Sequence, residues 1–348
     1  HEEYLERQKE LVSEELEPEH SNLILDFLYD KDDDLAPSTA RNYCREIRFL
    51  IRYSYDSDAF NAEPGWGSDD WNRLIRRVMR QRDAGDGTRR NTAYAVRKFI
   101  SWSIESDADK SEIDAPKRTH EKIDQETVLS PDEVVGLIES TRTERDAGLI
   151  AVMYEAALRR TALVQLDVKN YLEEPFARVR VPQKVGVKTG SGRERPLNWS
   201  RGYLDRWMNQ HPDPENPDAP LFCSIRPRDE GERLTSHAVY TMLQRTAKRS
   251  DVDKDRVHPH ALRHARATAM RQSDRLDKKD IETVMGWTES TPMHQRYEHT
   301  TSTEDASRTA RRMGVEVGGD EAEITECPRC GSNLPPDSRF CPNCTLRI

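Results

Sequence analysis

Apolar side chains recur three and four positions apart along most of this 348-residue chain, and that spacing breaks in one place. This single change of period constrains the fold more than anything else: it predicts a mainly α protein with one small β-sheet. Between residues 172 and 198, Val179, Val181, Val185 and Val187 lie around Gly186, Gly190 and Gly192, a pattern of short strands joined by a glycine-rich turn. Before it, three helical stretches stand out. Pro37-Ser38-Thr39 opens the first, which carries Tyr43, Ile47, Leu50, Ile51 and Tyr55. Trp71, Leu74, Ile75, Val78 and Met79 form one stripe of the second, with arginines on its other face. The third carries Ala95, Val96, Phe99, Ile100 and Trp102, after a turn expected at Asp86-Gly87. Beyond them, Ser130-Pro131-Asp132-Glu133 has the cap, first-position proline and acidic first turn of a helix start. Helical patterns then run over 145–157, 202–209, 236–249, 260–271 and 279–285.

These patterns divide the chain into an acidic N-terminal segment (1–34), a small helical domain (35–107), a polar linker with Pro116 (108–127), a larger helical domain with the sheet (128–312), an acidic linker (313–325) and a cysteine-bearing end (326–348). No apolar run reaches the length of a membrane span and no leader pattern opens the chain, so a cytoplasmic location is expected.

The formal net charge of −9 argues against a nucleic-acid partner until its distribution is read. Residues 1–34 hold thirteen acidic side chains against three basic ones, which leaves the rest of the chain close to neutral. Within that rest, residues 71–100 carry nine Arg or Lys against Asp83 and Asp86. Arg73, Arg76, Arg77, Arg80, Arg89, Arg90, Arg97 and Lys98 are therefore candidates for DNA phosphate contacts. Taken alone, such a run also fits a solvated helix face.

Four separated stretches of the larger domain carry the chemistry. Ala157-Leu158-Arg159 follows an apolar helix, and Lys188 opens Lys-Thr-Gly-Ser-Gly-Arg-Glu-Arg-Pro-Leu. Pro259-His260-Ala261-Leu262-Arg263-His264 comes third, and Met285-Gly286-Trp287 leads to Gln295-Arg296-Tyr297-Glu298-His299. Singly, each residue has an ordinary alternative. Arg159 fits a surface helix, Lys188 (with Lys184 as rival) a solvated hairpin, His260 a helix cap, His264 a structural role, and Trp287 core packing.

The ordered set resembles the tyrosine recombinases of the phage integrase and Xer class: an Arg after Gly-Leu, a Lys in a β-hairpin, His-x-x-Arg, then His or Trp, then Tyr. The resemblance covers about residues 128–312, and the helical domain before it resembles the family's core-binding domain. It implies a site-specific recombinase that cleaves and rejoins double-stranded DNA through a 3′-phosphotyrosyl intermediate, in integration, excision or resolution. It further implies a C-shaped clamp on the duplex, a homodimer on each site and a tetramer in synapsis. Its catalytic set would be Arg159, Lys188, His260, Arg263, Trp287 and Tyr297.

These residue types suit the chemistry. A phenol with a pKa of about 10 must lose its proton to attack. Two planar, permanently charged guanidinium groups suit a pentacoordinate phosphate. His260 either donates to the phosphate or accepts the tyrosine proton, and the resemblance gives Lys188 the departing 5′-oxygen. Trp287 donates one hydrogen bond but shuttles no proton. The chain departs from the family at Ala162, where an acid is usual, at Ala157, where Gly is usual, and at Trp287, where most members have His. Ten positions separate Trp287 from Tyr297, one more than is common. Two rival readings use similar residues: a non-enzymatic DNA-binding regulator with a recombinase fold, and a type IB topoisomerase-like enzyme.

A second pattern is independent of the first. Cys327-Pro-Arg-Cys330 and Cys341-Pro-Asn-Cys344 are separated by ten residues. Two such knuckles present four thiolates to a tetrahedral ion, so structural zinc on Cys327, Cys330, Cys341 and Cys344 is expected, resembling a zinc ribbon. No cofactor is expected at the catalytic centre. Cys44 and Cys223 stand alone and are expected to behave as small core residues.

Overall fold

The computed structural model describes residues 2–31, 34–55, 67–103, 108–117, 127–183, 192–273 and 276–287, with 326, 327, 334 and 341. The chain divides into two compact units, residues 1–119 and 120–348.

In the first unit, five helices share one core. They are α1 (Glu2–Glu15), α2 (Pro18–Asp30), α3 (Pro37–Tyr55), α4 (Ser68–Gln81) and α5 (Asp86–Ile100). The acidic segment, set apart by its charge in the sequence, builds the first two. Most of its described carboxylates face outward, as in the exposed pairing of Arg7 with Glu10 and Glu14, while Glu15 turns inward to pair with Arg48 of α3. Its apolar stripe, with Leu5, Val12, Ile24 and Phe27, joins Ile47, Leu50, Leu74 and Phe99 in the core. Phe27 meets Phe99 and Trp102 edge-on, with ring centroids 5.3 and 5.5 Å away. Full burial of one such ring contributes about 1.5–3 kcal/mol. Charge set this segment apart, but the period of its apolar residues decides where it goes.

Two boundaries fall differently from expectation. Asp86 and Gly87, expected as a turn, are the first residues of α5, and the turn lies just before them at Asp83, whose φ is +46°. Asp tolerates this left-handed conformation better than most residues. The start of the expected linker is also docked. Asn72 donates to the Glu112 carbonyl at 2.8 Å and accepts from the Asp114 amide at 2.7 Å, and Ile113 is buried in the core.

In the second unit, α6 (Pro131–Glu139) starts as its sequence suggests: Ser130 and Glu133 cap each other's amides, at 3.1 and 2.7 Å. Next comes α7 (Glu144–Glu155), buried on nearly every face from Asp146 onward. A helix that is apolar all round belongs at the centre of a unit. The short α8 (Arg160–Val164), which the periodicity does not reveal, follows. Then come β1 (Tyr171–Leu172), β2 (Arg178–Arg180) and β3 (Glu194–Pro196), an antiparallel sheet in sequence order with Val179 opposite Arg195. Val185, Gly186, Val187 and Gly190 lie outside the described residues. The sheet is followed by α9 (Ser200–Met208), α10 (Ser236–Ala247), α11 (Pro259–Gln272) and α12 (Lys278–Met285), each within two residues of its expected bounds. One carboxylate fastens α7 to α9: Glu155 accepts from the amides of Asn198 and Ser200, each at 3.0 Å, and from the Ser200 hydroxyl. It caps α9 where a negative charge is favoured.

Candidate active site

Three short joints of the second unit carry the singled-out residues. The first follows α7. Ala157 takes φ +47°, a left-handed conformation that costs a residue with a Cβ about 1–2 kcal/mol. The reversal leaves Arg159 extended at the N-cap of α8, its carbonyl accepting from the Leu163 amide at 2.9 Å. The sequence signal is plain in retrospect, since this is the position where the resembled family usually has Gly.

The second joint is the start of α11. Its cap is His258, whose Nδ1 accepts from the Ala261 amide at 3.1 Å, so the capping alternative for His260 falls to the histidine two positions before it. Desolvation holds the His258 imidazole below its ordinary pKa, which keeps Nδ1 an acceptor. His260 is exposed and packs against His264, with ring centroids 4.0 Å apart. Arg263, one turn beyond His260, is 3% exposed.

The third joint ends α12. Gly286 adopts φ +65°, and the Trp287 amide turns back to the Glu282 carbonyl at 3.0 Å. This left-handed glycine stop drops Trp287 into a small apolar cluster with Ala157, Ala267, Met270, Ile281 and Met285.

Arginines tie the joints together. Arg263 donates through Nη1 to the Ala157 carbonyl and through Nη2 to the Met285 carbonyl, the latter at 2.6 Å. One guanidinium thereby fastens the turn before Arg159 to the turn before Trp287. Arg193, which precedes β3, donates to the Trp287 carbonyl at 2.8 Å. Arg195, on β3, is 2% exposed, and its pKa is pulled down to about 10, chiefly by burial and then by the charges of Arg193 and Arg159. Arg159, Arg263, Trp287 and the hairpin strand thus come to one neighbourhood, with His260 on the adjacent turn of α11. Lys184, Lys188 and Tyr297 lie outside the described residues. Sequence reasoning does not find Arg193 and Arg195 as site residues; the structure shows Arg195 at an inward strand position opposite Val179.

The candidates in the first unit fall into two groups. Arg73, Arg76, Arg77 and Arg80 are exposed along α4 and line an open cleft with Tyr53 and Gln81, while Arg76 also pairs with Asp114 at 2.9 Å. On α5, Arg90 donates to the carbonyls of Pro116 and Lys117, and Arg97 to that of Ile113. Arg89 and Lys98 are half-buried there.

Near the C-terminus, Cys327 and Cys341 are buried together with Leu334. These are the leading cysteines of the two pairs, brought into one cluster. Cys330 and Cys344 lie outside the described residues. Cys44 and Cys223 are both buried in the two main cores, and burial pushes the Cys44 thiol up to about 12. Among the described residues no helix is long and apolar enough to cross a membrane.

Comparison with known proteins bears on this geometry. Residues 127–304 match the model of the phage integrase family. A tyrosine recombinase of Synechococcus elongatus is 28% identical over 261 residues, covering 68% of this chain and 77% of that protein. The tyrosine recombinase XerC of Escherichia coli is 25% identical over 294 residues, covering 80% and 93%. Among solved structures, the Tn1549 transposon integrase in complex with circular intermediate DNA superposes with a TM-score of 0.60 at 16% identity, over 82% of this chain and 98% of that one.

Proposed function

Because the chain belongs to the phage integrase family and so breaks and rejoins DNA strands, we propose that Tyr297 is its nucleophile and that Arg159, Lys188, His260, Arg263 and Trp287 act on the scissile phosphate. The phenolic oxygen of Tyr297 bonds to phosphorus as the bond to the 5′-oxygen breaks, leaving a 3′-phosphotyrosyl link. His260 takes the phenolic proton and Lys188 supplies one to the departing oxygen. Arg159 and Arg263 hold the charge that grows on the phosphate, and Trp287 donates one hydrogen bond from its indole. Attack by the 5′-hydroxyl of a partner strand reverses the same bonds, with no external energy source. The observation that supports this most is the double anchorage of Arg263, which aligns the Arg159 and Trp287 turns through two backbone carbonyls.

On this reading the partner is double-stranded DNA, gripped in part by Arg73, Arg76, Arg77 and Arg80, with a dimer on each site and a tetramer in synapsis. The four C-terminal cysteines hold a structural zinc ion, which would supply the folding energy that so short a segment lacks. Burial of Cys327 and Cys341 in one cluster fits that assignment. Metal analysis of the full chain should find one zinc per chain, lost in Cys327→Ser with Cys341→Ser.

A library of nicked duplexes with randomised arms tests the nucleophile. Wild type should give covalent protein–DNA adducts that survive denaturation and enrich one duplex sequence, whereas Tyr297→Phe gives none. Equal adduct from both proteins would remove Tyr297 from the reaction.

A further inference from the structure

Several guanidinium groups that reach into the second unit are held by acceptors. Arg233 is bonded to the Val164 and Leu166 carbonyls and the Asp167 carboxylate. Arg256 is bonded to the Val128 carbonyl and the Glu133 carboxylate. Arg263 holds two carbonyls. Arg195 is as deeply placed as any of these, yet its Nε and Nη1 have no hydrogen-bond partner among the described residues. No ion pair compensates it there either. Across the sheet it faces the fully buried Val179, and the charges that act on it, Arg193 and Arg159, have its own sign.

A buried cation beside two more cations is an arrangement that folding alone penalises. An apolar side chain would fill this inward strand position without that cost. What relieves it is an anion, and a planar guanidinium with two unpartnered donors is suited to phosphate oxygens. We propose that Arg195 is a further phosphate-binding residue of the active site, taking a non-bridging oxygen of the DNA phosphodiester beside Arg159. This rests on the assignment of Arg159 and Arg263 to that phosphate. The free enzyme then carries a surplus of buried positive charge at β3, and substrate neutralises it.

The proposal gives opposite signs to stability and activity, which a propping role for Arg195 would not. In the full chain without DNA, Arg195→Met should melt higher than wild type, because an uncompensated buried charge has been exchanged for an apolar chain of similar length. Inorganic phosphate, compared with chloride at matched ionic strength, should raise the wild-type Tm and raise that of Arg195→Met by less. On the duplex enriched in the library, adduct formation by Arg195→Met should fall at least tenfold and recover in part in Arg195→Lys. The slope of log affinity against log salt should shrink by about one. A variant that melts lower and keeps the phosphate response overturns the proposal, as does one with an undiminished adduct rate. The phosphate titration does not involve Tyr297 and can be repeated in Tyr297→Phe. An Arg195-dependent phosphate response without any Tyr297-dependent adduct would therefore sink the nucleophile assignment and leave Arg195 standing.

Discussion

Arginine is used in two ways in this protein, and the contrast between α4 and the corner built by α7, α11 and α12 shows what each way demands. On α4 the guanidinium groups stand in solvent along the face opposite Trp71, Leu74, Ile75 and Val78. Their placement needs only an amphipathic helix. At the corner, Arg263 is buried and its position is set by two carbonyls from turns more than one hundred residues apart in sequence. A surface array needs no exact geometry because phosphate attraction is long-ranged and screened by salt. A reaction centre, the role proposed for this corner, requires fixed donors in a dry place, and an arginine tied down from both sides meets that demand.

The contrast predicts unequal mutational costs. Arg263→Ala should have the largest effect, because it removes two charge-assisted bonds and leaves the Ala157 and Met285 carbonyls without this donor. A loss of about 3–5 kcal/mol is expected in denaturant unfolding, together with loss of adduct formation. Arg263→Lys cannot bridge both carbonyls with a planar fork and should recover little of either. If Arg263→Ala abolished cleavage with no change in stability, the tie between the turns would not be structural. Glu155→Ala should come next. It strips the amides of Asn198 and Ser200 of their shared acceptor at the start of α9, costing about 2–4 kcal/mol. Its chemistry should persist under conditions where the variant is folded, which separates the frame of the corner from its reacting side chains.

The α4 arginines should behave in the opposite way. Arg77→Ala and Arg80→Ala, each made singly, should leave stability within about 0.5 kcal/mol of wild type. Each should reduce the salt dependence of DNA binding by about one phosphate contact. The α5 member Arg90 provides the internal control. Its guanidinium is engaged with the Pro116 and Lys117 carbonyls, so Arg90→Ala should shift stability more than salt slope. A reversed result, with α4 variants unstable and Arg90→Ala altering only DNA binding, would erase the distinction between the two helices.

How much of this was legible beforehand follows the same division. Periodicity located α4, its apolar stripe and its arginine face, because both lie within one stretch of fourteen residues. The order of motifs identified Arg159, Arg263 and Trp287 as partners, but only the fold could show that Arg263 reaches the backbone at both other motifs. The helices of residues 1–34 escaped notice because charge dominated the reading, although Leu5, Val12, Ile24 and Phe27 are what the core receives. Arg195 escaped because a single charged residue in a three-residue strand gives no periodic signal; its meaning comes from what surrounds it. The cap that the sequence offers to His260 is supplied by His258, a two-residue ambiguity that the boundary of α11 settles.

The smallest expected effect concerns the turn itself. Ala157 pays about 1–2 kcal/mol for a left-handed backbone that Gly adopts freely. Ala157→Gly relieves that strain but gains unfolded-state freedom worth about 0.4–1 kcal/mol, and it removes a methyl buried against the Trp287 cluster, worth about 0.8 kcal/mol. These terms nearly cancel, so stability should stay within about 1 kcal/mol of wild type, with adduct formation retained. The opposite exchange is not neutral: Ala157→Val puts a β-branched side chain into a conformation it strongly avoids and should unfold the corner that Arg263 holds. If Ala157→Val were as stable as wild type, the turn would have relaxed out of its left-handed form. The Ala157 carbonyl would then no longer be positioned by the backbone for Arg263, and the anchoring on which the corner differs from α4 would have to come from elsewhere.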